Sequence, residues 1–331
     1  MRKMNLMKLP FILLTLLLLS TACRQKEDVF IMKIASSAPA EEPGSQALLR
    51  YADLVNERSG GRIRAKVYMA SALGTNRDVT EGLQLGTIEV QMASNSPLAV
   101  FVPSMNIFEL PFLFKNNDHM FAVLDSRIGE SFAPVLEEKG IHLLGYFTFG
   151  VRHIMTTTTR VKGLEDLKGL KIRTMESPVH LDAFRAFGAS PLPMSYNELF
   201  VALQTGMIDG AEAANSNYYS KRFFEVAPNW AQVGWLHLVA PVLMSQKFYD
   251  KLPADLQKIV DDSLEELVDY ERDLYTQIDE QRMEQLKEAG IHITYPDREP
   301  FLEAAKPVYE KWAEQVGGWG KINEIKNFKY Q

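Results

Sequence analysis

Two arginines are the residues of this chain best suited to chemistry. Arg173 stands near the end of Leu170 to Thr174, a run that reads as a strand, and open α/β sheets place ligand sites at strand ends. A guanidinium offers a planar fork of donors that meets a carboxylate bidentately and stays charged at any relevant pH. Arg152, in Gly150-Val151-Arg152-His153, is a second such cation. From the residues alone, Arg173 also reads as a surface cation beside Lys168 and Lys171, and Arg152 as half of a structural ion pair. No catalytic constellation accompanies them. The chain has no G-x-G-x-x-G, G-x-S-x-G or H-E-x-x-H, and Gly320-Lys321 fails as a phosphate loop because Gln315 and Ile322 occupy its key positions. The six histidines are scattered with no i,i+4 pair, so no metal and no cofactor is expected. What remains is binding. An exported enzyme would need a nucleophile–base or metal set that the sequence does not offer.

The N-terminus is an export address. Arg2, Lys3 and Lys8 precede an apolar stretch from Leu9 to Leu19, too short to span a bilayer and suited to a signal peptide over residues 1–22. The only cysteine, Cys23, follows Leu19-Ser20-Thr21-Ala22, an arrangement similar to a bacterial lipobox, and 23–28 reads as a lipid anchor and spacer. The alternative is plain secretory cleavage beside an incidental cysteine. The whole chain has 331 residues and a net charge of −6. Cleavage before Cys23 leaves 33 basic and 42 acidic residues, a net charge of −9. That balance argues against nucleic acid as a partner. The expected location is the periplasm or cell envelope, with membrane contact through the lipid alone.

The elements that position the arginines alternate. Val29 to Ala35 reads as a buried strand, Ser45 as the N-cap of a helix ending at Gly60-Gly61, and Ile63 to Val67 as a half-buried strand. A helix over 78–85 and strands over 89–93, 141–146, 152–156 and 170–174 follow. Ser195 to Glu198 has capping-box spacing and opens a helix to Gln204, after which 206–212 returns as a strand. This alternation predicts parallel sheets covered by helices. From Pro253 to Ala289 there is no internal Gly or Pro, and Leu256, Val260, Leu264, Leu267, Leu274 and Ile278 fall at helical spacing. The segment is either two helices with a hidden break or one helix of about 55 Å braced across two domains.

An ordered set of motifs resembles the solute-binding proteins of TRAP transporters, the DctP family. Leu164-Glu165-Asp166-Leu167-Lys168-Gly169-Leu170-Lys171-Ile172-Arg173-Thr174 is similar to the central family signature. Gly188-Ala189-Ser190-Pro191, Ala202-Leu203-Gln204-Thr205-Gly206, Ile208-Asp209-Gly210, Phe223-Phe224-Glu225-Val226 and Leu252-Pro253-Ala254-Asp255-Leu256-Gln257 follow in the family's order, with Leu110-Pro111-Phe112-Leu113-Phe114 upstream. The resemblance implies a two-domain α/β fold of the periplasmic-binding-protein type, with a ligand cleft and a long helix spanning both domains. The expected division is 29–149 plus about 238–277 for domain I and 150–237 plus about 278–331 for domain II. It also implies hinge closure on an organic acid and delivery to the small and large membrane subunits of a TRAP permease. A ligand-loaded partner of a membrane sensor would have the same site chemistry.

The resemblance further implies that Arg173 pairs with the substrate carboxylate and that Arg152 supports it. Tyr196 matches a ligand-packing aromatic position. Asn76, Ser94 and Asn95 match ligand-facing loops, and Glu176 is a candidate partner for a hydroxyl. The family's usual Asn amide after Asp209-Gly210 is replaced by Ala213, which leaves Asn215 or Asn217 to substitute. Trp235 stands where many relatives carry His, and its ring suits the C–H face of a sugar. A sugar acid, such as a uronate or aldonate, is therefore expected ahead of a C4-dicarboxylate.

Overall fold

The computed structural model describes residues 29–330, so Cys23 and the apolar segment before it lie outside the described residues. The strands are β1 (Phe30–Ser36), β2 (Ile63–Tyr68), β3 (Val90–Met92), β4 (Ile141–Thr156), β5 (Lys171–Thr174), β6 (Ser190–Pro193), β7 (Gly210–Ala213), β8 (Asn229–Ser245) and β9 (His292–Thr294). The helices that matter for the site are α1 (Pro43–Arg58), α2 (Asn76–Leu85), α3 (Pro178–Ala186), α4 (Asn215–Ser220), α5 (Ala254–Glu288) and α6 (Glu299–Trp312).

The nine strands of the described residues join one mixed sheet in the order β2-β1-β3-β8-β4-β7-β5-β6, with β9 on β8. Its two ends are parallel, as the alternation predicts: β1 with β2 and β3, and β5 with β6 and β7. Its centre is not. β4 and β8 run antiparallel over 16 and 17 residues, and they carry the chain from one half of the molecule to the other. The strands expected over 141–146 and 152–156 are one strand interrupted by register shifts, one of them between Thr148 and Val151. Gly150 sits in that shift at φ +75°, and a Cβ there would lie 2.0 Å from the Tyr275 hydroxyl oxygen. Both the backbone angle and the close approach therefore require glycine.

Helix α5 is continuous, about 52 Å long at 1.5 Å per residue, and contacts both halves. Its first turns bury Leu256, Val260, Leu264 and Leu267 against the core of the first half, and Leu286 at its far end packs in the second half. Between them, where the helix crosses, the buried face is Glu271, Arg272 and Tyr275. Arg272 is held bidentately by Asp125 at 2.6 and 2.8 Å. The Thr148 N–H donates to Glu271, whose carboxyl burial pushes up to about 8, which favours its neutral form.

Helix α1 begins at Pro43, with Glu42 rather than Ser45 in the N-cap position, because proline at the first turn sacrifices no helical hydrogen bond. Ser45 is buried inside the helix. Helix α2 is opened by a reciprocal Thr75–Asp78 capping box, which fixes Asn76 at its first turn.

Candidate functional site

A cleft open to solvent, enclosing about 710 Å³ of space, lies between the two halves. The first half contributes Ser37, Glu42, Ser71, Thr75, Asn76 and Ser94; the second contributes Arg152, Arg173, Met175, Glu176, Ser195, Tyr196, Asn197 and Asn217. The strand ends after β1 and β3 and the start of α2 supply one wall. The other is built from the end of β5, the turn after β6, and α4.

Charge concentrates at the two arginines, both of which are buried. Arg152 Nε donates to Glu212 Oε2 at 2.7 Å, and Arg173 Nη1 donates to Glu212 Oε1 at 3.3 Å. Glu212, on β7, thus ties the two guanidiniums together, and it is fully buried. Burial would raise its carboxyl, but the arginines more than offset this and hold it below the usual carboxylate range. Arg173 is also fixed by the Met194 carbonyl, which accepts from Nε at 2.9 Å and from Nη2 at 2.7 Å. Three of its five N–H groups are used in these bonds, and each terminal nitrogen keeps one more hydrogen. Within this trio, two cations share one anion and one positive charge is left over.

The structure brings most of the sequence-derived residues together. Arg152, Arg173, Tyr196, Ser94, Asn76 and Glu176 all line the cleft. The Tyr196 ring packs edge-on against Phe223, and Asn217 donates to its hydroxyl at 3.4 Å. Three residues, Asn95, Asn215 and Trp235, fall elsewhere. Asn95 turns inward and donates to the Met105 carbonyl and to Glu109, a buried carboxylate that also meets His180 Nε2 at 2.5 Å. Asn215 donates to Asp279 and accepts from Trp230, away from the cleft. Asn217 is the one of the two candidate amides that lines it.

Trp235 is the main correction. Its side chain is fully buried, edge-on to His180 at 4.8 Å and to Phe184 at 5.1 Å. It is a core residue of the second half and offers no face to a ligand. Two carboxylates escaped sequence reasoning. Glu212 is a lone acid in the small-residue strand Gly210-Ala211-Glu212-Ala213, and a buried acid on a strand next to Arg-bearing strands was the available signal. Glu42 precedes the proline that starts α1, and its helix-start position was the signal there.

The profile of bacterial extracellular solute-binding protein family 7, DctP, matches residues 34–315. The chain belongs to the DctP family. As a member it is a solute-binding protein of the TRAP type and not an enzyme. This DctP protein is 33% identical over 259 residues to the 2,3-diketo-L-gulonate-binding periplasmic protein YiaO of Escherichia coli, covering 78% of this chain and 79% of that one. Among solved structures, a TRAP periplasmic solute-binding protein of a Sulfitobacter species with bound β-D-galacturonate superimposes with a TM-score of 0.86 at 30% identity, over 90% of this chain and 99% of that one. The sugar acid binding protein DctPAm of Advenella mimigardefordensis, in complex with galactonate, superimposes with a TM-score of 0.88 at 27% identity, over 91% and 97%.

Proposed function

We propose that the protein is the periplasmic solute-binding subunit of a TRAP transporter and that it captures a sugar acid, a uronate or aldonate, by pairing the ligand carboxylate with Arg173 and Arg152. The observation that carries this reading is the shared Glu212: it neutralises one of two buried guanidiniums and leaves charge and directed N–H groups for one carboxylate. Hydroxyl recognition falls to Asn76, Ser94, Glu176, Ser195 and Asn197 on the remaining walls. The relatives in complex with galacturonate and galactonate support the same ligand class. Domain I (29–149 plus about 238–277) closes on domain II (150–237 plus about 278–331) about the region of β4 and β8 where their register breaks. The loaded protein then docks on the small and large membrane subunits.

A thermal-shift panel tests the ligand class. A ligand at 100 times its Kd stabilises by about 2.7 kcal/mol. Galacturonate, glucuronate and galactonate should raise the melting temperature clearly, while succinate, fumarate and malate at equal concentration should not. A larger shift with a C4-dicarboxylate would discard the sugar-acid reading.

Cys23 is proposed as the lipidated N-terminus of the mature protein, with residues 1–22 removed as a signal peptide. Cys23→Ala should abolish fatty-acid labelling and release the protein from membranes while ligand binding persists. Absence of label on the wild-type protein would return Cys23 to ordinary secretion.

A further inference from the structure

Glu42 is an acid in the cleft that carboxylate capture does not use; burial pushes its carboxyl above the usual range, and the hydrogen bonds from Ser220 and Ser216 pull against that rise. It is 4% exposed, lies on the first half, and faces α4 of the second half. Its Oε1 accepts from Ser220 at 2.6 Å and its Oε2 from Ser216 at 3.0 Å. Ser216 is in turn 2.9 Å from the Tyr275 hydroxyl on the long helix. Tyr196, beside the ligand space, lies within electrostatic reach of Glu42 and of both arginines, so the acid and the cations flank one volume. Lys221 and Arg282 also feel Glu42, but neither lines the cleft. Among the described residues, Arg152 and Arg173 are the only cations lining the cleft, beside Glu42 and Glu176, which leaves no cation there for a second ligand carboxylate.

We propose that Glu42 is a charge filter: its carboxylate accepts a ligand hydroxyl and repels a second carboxylate, restricting the site to polyhydroxy monoacids and excluding the matching diacids. Like charges brought together in a site of this kind disfavour binding, and such repulsion is an efficient way to discriminate. The filter rests on the assignment of Arg173 and Arg152 as the carboxylate clamp. A purely structural role, fastening the two halves through Ser216 and Ser220, is the competing explanation for the same contacts.

Galactonate and galactarate form the diagnostic pair, since they differ only in a terminal CH2OH against COO−. Calorimetric titration of the wild-type protein should show galactonate binding at least ~10-fold more tightly than galactarate. In Glu42→Gln that ratio should shrink by about 10-fold, chiefly through better galactarate binding. A fastening role would weaken both acids together and leave the ratio unchanged, which would overturn the filter. Equal wild-type affinities would overturn it without any variant. Arg173→Ala measured alongside keeps the two readings apart: if it retains galactonate binding the clamp falls, whereas a lost clamp with an unchanged Glu42→Gln ratio sinks the filter alone.

Discussion

Arg173→Ala should lose roughly 2–5 kcal/mol of sugar-acid affinity, the cost of leaving one partner of a buried charge pair without the other. Arg173→Lys should lose nearly as much, and this comparison is the informative one. The wild-type guanidinium is clamped by the Met194 carbonyl and by Glu212, so its two remaining terminal hydrogens point in fixed directions. An ammonium keeps the charge but is a point donor without the fork. Lysine still neutralises Glu212, so Arg173→Lys should unfold near the wild-type denaturant midpoint while binding poorly. Alanine should lower both affinity and stability. Calorimetry on the lysine variant decides the matter, and wild-type affinity there would remove Arg173 from the site.

The second large effect is expected at Glu212, where no ligand contact is invoked. Removing it leaves Arg152 and Arg173 buried side by side without their shared anion. Breaking a buried ion pair by deleting one partner costs about 3–5 kcal/mol. Urea unfolding of Glu212→Ala without ligand should show a loss of that order. The effect has a defined pH dependence. Because the folded carboxyl is held below its usual 4.5, its contribution is complete above that value and is lost as the pH falls through the lower folded value. The stability gap between wild type and Glu212→Ala should therefore be widest near neutrality and close in acid. A constant gap down to strongly acidic pH would mean that Glu212 acts through shape and not charge.

Legibility in the sequence followed physical lines. Helix α5 was visible because its first turns carry apolar residues at helical spacing with no Gly or Pro to interrupt them. Its polar middle was not, since Glu271, Arg272 and Tyr275 are buried only because the helix crosses from one half to the other there. Strand β8 gave no alternating pattern: nearly every residue from Asn229 to Ser245 is buried, and Gly234 and Pro241 punctuate it like a loop. Helix α6 was masked in the same way by the internal Pro307. The position of Arg173 in the cleft was legible through strand-end placement and motif context. Glu42 and Glu212 were not, because a carboxylate becomes part of a site only when the fold sets it against particular cations. Trp235 misled for the converse reason. A large amphipathic ring at a motif position suits a ligand and a core equally, and Phe184 and His180 around it decide for the core.

A crystal structure of the wild-type protein grown with galacturonate or galactonate tests the central claim most directly. The carboxylate should lie between Arg173 and Arg152, at ~2.7–2.9 Å from their terminal nitrogens as charge-assisted hydrogen bonds require, with Glu212 still joining the two guanidiniums from behind. A sugar acid bound in the cleft with its carboxylate turned away from Arg173 would contradict the account.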